Sequence, residues 1–204
     1  MNKIEKALKG LMKYVEGSDK LYFKENVGEL LKFAKSKKPP KPLYVAAFLE
    51  EGSRQDLYNW WKMHVKKDLL PQEPKHSHMT IKYQPSKEDI LSLPIGESSE
   101  KTLTVIGYAH DDLGQAVQVR VSDKSFDRMG DGIAHISISK TKETPMGFAY
   151  SNALLSQGIE EVKAGPELKV KGIGVFMSNQ QVEYDLDNVF EKDNDSLELD
   201  VDTE

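Results

Sequence analysis

The 204-residue chain contains no cysteine, so neither a disulfide nor a thiolate metal site is open to it, and it must fold around a hydrophobic core. A reducing compartment, the cytoplasm, is expected. Long apolar runs are also missing: the longest, Leu43 to Leu49, has seven residues, against the roughly 20 that cross a bilayer. No membrane span is expected. Met1 to Lys6 alternate in charge and lack an apolar core, so no secretory signal is expected either. A glycine-rich phosphate loop is absent: Gly172-Ile173-Gly174 lacks the later glycine or lysine, and Gly130-Asp131-Gly132 reads as a turn. Without cysteine or a Gly-x-Ser-x-Gly elbow, nucleophilic Ser or Cys schemes are unsupported as well.

What is present is charge, 28 basic against 33 acidic side chains, and it is polarised along the chain. Residues 183–204 hold ten acids and one lysine, while residues 1–42 hold eleven lysines and five acids. Terminal charge runs of this kind are usually solvated. Three segments result: a lysine-rich arm over 1–42, a domain over 43–182 and an acidic tail over 183–204. In the arm, apolar residues from Ile4 to Val15 and from Val27 to Ala34 recur at helical spacing, predicting two short helices. Lys37-Lys38-Pro39-Pro40-Lys41-Pro42 then stops any helix.

Leu43 to Leu49 reads as a strand buried on both faces, and Ser53 as the cap of a helix running through Leu57, Trp61 and Val65. His78 to Tyr83 is the next strand. Leu103 to Tyr108 and Ala116 to Val121 flank Asp111-Asp112-Leu113-Gly114 and predict a hairpin. His135 to Ser139 is a strand, Thr144-Pro145 predicts a helix start, and Leu168 to Met177 is the last strand. The order strand, helix, strand thus occurs in each half. An α/β (α+β) fold is expected, with a bilobal, pseudo-symmetric, mostly antiparallel sheet, outer helices and a central cleft.

Two of the five histidines share one local pattern, His78-Met79-Thr80-Ile81 and His135-Ile136-Ser137-Ile138. A given histidine meets it by chance about 2% of the time, so two occurrences point to a common use. Side chains alternate along a strand, which sets His78, Thr80 and Lys82 on one face, and His135 and Ser137 likewise on theirs. An imidazole titrates near neutrality, and two of them can divide proton removal and proton donation across one phosphorus centre. The hydroxyls of Thr80 and Ser137 can donate to phosphate oxygens, and Lys82 and Lys140 can add positive potential. No metal or other cofactor is needed. Tyr44, Phe148 and Phe176 are candidate stacking surfaces for a base.

The twin His-x-Thr/Ser motifs, over about Leu43 to Asn179, resemble the two-histidine (2H) phosphoesterase superfamily. That resemblance implies a bilobal sheet with His78 and His135 as the catalytic pair and Thr80 and Ser137 as phosphate ligands. It also implies a small nucleotide or RNA end as substrate. Members open 2′,3′-cyclic phosphates, cleave 2′-5′ linked oligonucleotides, process ADP-ribose cyclic phosphate or, in phages, destroy cyclic defence signals. A viral origin, with action in the host cytoplasm, is compatible with the sequence.

Two other readings remain. His76-Ser77-His78 puts two imidazoles on one strand face, which suits a metallohydrolase with Asp89 or His110 as third ligand. The same fold can also serve as a non-catalytic module that binds a nucleotide or a protein. Specificity is expected to lie in the cleft loops Pro85 to Glu100 and Ser122 to Asp131.

Overall fold

In the computed structural model, residues 40–98 and 100–194 are described; the two helices expected before residue 40 lie outside them. Residues Pro42–Leu186 form one compact unit. It opens on strand β1 (Pro42–Leu49), where Val45, Ala46, Ala47 and Phe48 are buried in succession, as an unbroken apolar run requires. Helix α1 (Glu51–Trp60) follows and loosens into a π-helical turn, Trp61–Val65, that buries Trp61 completely. Ser53 does not cap it. The helix already begins at Glu51, and the Ser53 hydroxyl instead accepts the Lys169 N–H at 2.8 Å.

Strand β2 (His78–Tyr83) leads to the short helix α2 (Lys87–Leu91), which starts on a reciprocal capping box between Ser86 and Asp89. After β3 (Gly96–Glu97), strands β4 (Thr102–His110) and β5 (Gly114–Val121) form the expected hairpin. Asp111 makes its turn, with Oδ1 accepting the N–H groups of Leu113 and Gly114 at 2.8 Å each. Strand β6 (His135–Lys140) comes next, then helix α3 (Tyr150–Ser156). That helix starts later than Thr144-Pro145 predicts. The Thr144 hydroxyl is engaged with the Leu113 carbonyl at 2.5 Å, Met146 turns at φ 59°, and a 3₁₀ turn, Gly147–Ala149, intervenes. Strands β7 (Glu160–Glu161), β8 (Glu167–Met177) and β9 (Val182–Glu183) and helix α4 (Leu186–Asn194) complete the described chain. No helix among the described residues is long and apolar enough to cross a membrane.

The nine strands form one antiparallel sheet in the order β3-β8-β1-β2-β6-β5-β4-β7, with β9 on β8, so the fold is α+β. Strand β8 has 11 residues and pairs with four strands: β3, β9, β4 through Glu167 to Lys169, and β1 from Val170 onward. The pairings β8-β1-β2-β6-β5-β4 therefore close on themselves. Within this ring β2 and β6 meet at one register pair, Met79 with Ile136, whose side chains are both fully buried. About that joint β2 answers to β6, β1 to β5 and β8 to β4. Sequence order suggested β6-α3-β8 as the counterpart of β1-α1-β2, but β8 lies beside β1 and β4 rather than beside β6.

Candidate active site

The joint between β2 and β6 builds the site. Extending the Met79–Ile136 register by one residue each way sets His78 across from Ser137 and Thr80 across from His135. Because Met79 and Ile136 point into the core, the four polar side chains share the opposite face, where all four line a cavity of about 380 Å³.

Each motif strand carries a bulge at the third residue after its histidine. The β1–β2 register passes over Ile81 between Thr80 and Lys82, and the β5–β6 register passes over Ile138 between Ser137 and Ser139. Both isoleucines are fully buried. One extra residue inverts the in–out alternation beyond it. Lys82, expected beside Thr80, therefore turns away and pairs with Asp89 at 3.6 Å, while Tyr83 joins the cavity wall. At the matching position of β6, Lys140 stands over the Phe148 ring at 5.3 Å and bonds Gln72 and the Thr141 carbonyl. Phe148 lines the cavity; Lys140 does not.

The two imidazoles are held alike. Nδ1 of His78 bonds the His76 carbonyl at 2.8 Å, and Nδ1 of His135 bonds the Ile133 carbonyl at 2.7 Å. A carbonyl only accepts, so each Nδ1 carries the proton and each Nε2 is the basic nitrogen. Tyr44 stacks on His78 with centroids 4.9 Å apart, and Phe176 stacks on Tyr44 at 4.8 Å. Phe176 thus backs the Tyr44 ring instead of lining the cavity. The hydroxyls differ: Ser137 Oγ bonds Ser151 Oγ at 2.8 Å, whereas the Thr80 hydroxyl has no partner among the described residues.

Burial pushes His78 down to about 4; the His76 carbonyl opposes this, and the His135 and His76 imidazoles add to it. His135 is lowered by burial too, against the Ile133 carbonyl and with help from the Arg128 charge. Burial also pushes the Tyr44 phenol up to about 12, so it remains a neutral donor. For His78 the consequence reaches stability. An unfolded histidine near 6.5 takes a proton more readily than this folded one, so the unfolded chain gains as pH falls. The His78 contribution is complete above pH 6.5 and is lost progressively toward pH 4, by up to about 3 kcal/mol. Urea unfolding at a series of pH values measures it, and His78→Asn should flatten the profile over that window.

The cavity wall also holds Arg128 and Asn152, neither of which sequence reasoning singled out. Arg128 belongs to one of the two expected specificity loops; the other, from Pro85 to Glu100, contributes nothing to the lining. Among the described residues no aspartate or glutamate lines the cavity, so none of them can carry carboxylate acid–base chemistry there. His76 does line it beside His78, but Asp89 is committed to its capping box and to Lys82, and His110 stacks with Tyr108. Among the described residues no three metal-ligating side chains converge.

No protein-family model matches the chain, and no curated protein matches it. Among solved structures it is similar to one described as "Crystal Structure of Fungal RNA Kinase", with 11% identity and a TM-score of 0.46. The match covers 81% of this chain and 54% of that one, so the chain spans about half the length of this structural neighbour.

Proposed function

We propose that this protein is a metal-independent phosphodiesterase in which His78 and His135 divide the roles of general base and general acid. The substrate would be a 2′,3′-cyclic phosphate, or a 2′- or 3′-linked diester, in an RNA end or a small nucleotide. The observation that carries this is the single joint at Met79–Ile136, which delivers two imidazoles with basic Nε2 atoms and two hydroxyls to one cavity with no acid among its described lining residues. One neutral imidazole takes a proton from water as the water oxygen attacks phosphorus. The other, protonated, gives its proton to the departing ribose oxygen as that P–O bond breaks. Charge growing on the non-bridging oxygens meets the free Thr80 hydroxyl and the imidazolium. The chemistry would reside in residues 43–182, with the lysine-rich arm and the acidic tail outside it.

The test is a panel of 2′,3′-cyclic mononucleotides, 2′-5′ oligonucleotides and cyclic dinucleotides, followed by phosphorus NMR. Turnover of one class to a monoester, unchanged in excess chelator, is the expected result. Activity abolished by chelator and restored by a divalent cation would replace this scheme with a metallohydrolase using His76 and His78. Binding without turnover across the whole panel would make the chain a binding module.

A further inference from the structure

Two buried polar atoms in the cavity wall lack a partner among the described residues: Nε of Arg128 and Oδ1 of Asn152. One is a donor and the other an acceptor, and an unmet buried polar group is unfavourable unless a ligand satisfies it. Arg128 is one of only three arginines, against 25 lysines, so a planar fork in this cavity stands out from the chain's general use of lysine. Its Nη1 donates to the Thr80 carbonyl at 3.2 Å, which anchors the guanidinium beside a motif residue. Among the described residues no carboxylate forms an ion pair with it.

The fork is seated in a notch made by Gly132. A Cβ there would lie 1.8 Å from Nε and 2.4 Å from Cζ of Arg128, so any other residue displaces the guanidinium. The loop itself is tied to β2, since the Met129 N–H donates to the carbonyl of the bulged Ile81 at 2.9 Å. The bulge that brings Tyr83 to the cavity thus also fixes the segment carrying Arg128.

We infer that Arg128 and Asn152 form the recognition pair of this cavity for a nucleoside phosphate, Arg128 receiving phosphate oxygens and Asn152 receiving a donor from the ribose or base. A half-buried guanidinium without a counter-ion selects an anion, and a carboxamide acceptor on the helix α3 side demands a ligand that offers a donor as well. A nucleoside phosphate supplies both. The inference rests on reading this cavity as a phosphodiester site, and it assigns residues within it that the twin motifs do not include.

Calorimetry with inorganic phosphate and with adenosine 3′-monophosphate tests it without turnover. Arg128→Met should weaken both by tenfold or more, and Gly132→Ala, which keeps the charge but fills the notch, should weaken both as well. Asn152→Ala should weaken the nucleotide about fivefold or more and leave phosphate unchanged. Arg120→Met, on an exposed position of β5, is the control for loss of charge alone. Phosphate affinity within twofold of the parent in Arg128→Met overturns the proposal, and unchanged nucleotide affinity in Asn152→Ala overturns its second half. A protein inactive on every diester that still binds phosphate through Arg128 leaves this inference standing and removes the catalytic one. An active enzyme indifferent to Arg128 does the reverse.

Discussion

Replacing His135 by asparagine lowers kcat by about 10²–10⁴-fold on any diester the protein turns over, and His78→Asn does the same. Asparagine is the informative choice. Its side-chain N–H reaches roughly where Nδ1–H lies, so the bonds to the Ile133 and His76 carbonyls can persist while the basic Nε2 is deleted. Loss of rate is then loss of proton transfer rather than collapse of the strand, and affinity for a product nucleotide should stay within a few-fold of the parent. Because both imidazoles act in one displacement, the double variant should fall little below the weaker single one. A single variant retaining a tenth or more of the parent kcat would sink the two-histidine scheme. The unequal hydroxyls sharpen the expectation, since Thr80 is free to donate while Ser137 is already bonded to Ser151.

The motif pair was legible because it lies inside elements whose period sequence reveals. His78 and Thr80, and His135 and Ser137, each sit two apart on a strand, and alternation alone puts them on one face. That reasoning fails at Ile81 and Ile138, because a bulge is a backbone event that leaves no mark in the apolar pattern. Alternation alone therefore puts Lys82 on the cavity face and Tyr83 off it, the reverse of what the bulge produces. Ser53 and Thr144 failed for a different reason: both have the composition of caps, but tertiary partners, the Lys169 N–H and the Leu113 carbonyl, claim their hydroxyls. The pairing of β8 with both β1 and β4 was invisible because partner choice depends on strands distant in sequence. Arg128 and Asn152 carry no periodic signal; for Arg128 the hints are its place in the expected specificity loop and the rarity of arginine in a lysine-dominated chain.

The pH dependence of kcat/KM should peak on the acid side of 6.5, not around neutrality as two ordinary histidines would give. In the free protein the active form has one neutral and one protonated imidazole, and burial holds both groups below their usual range, His78 at about 4. Above the higher of the two values the protonated partner disappears, and kcat/KM falls about tenfold for each further pH unit. The profile of kcat should behave differently. A bound phosphate anion beside the rings favours the imidazolium, so the basic limb of kcat lies at higher pH than that of kcat/KM. Arg128 acts in the opposite sense on His135, and removing its charge in Arg128→Met should move the basic limb of kcat/KM upward while the affinity for phosphate drops. Stopped-flow or initial-rate measurements from pH 4 to 9 separate these effects. A kcat/KM maximum at or above pH 7, with chemistry rate-limiting, would mean that the imidazoles are not desolvated as this cavity requires, and the assignment of the acid to either of them would fail.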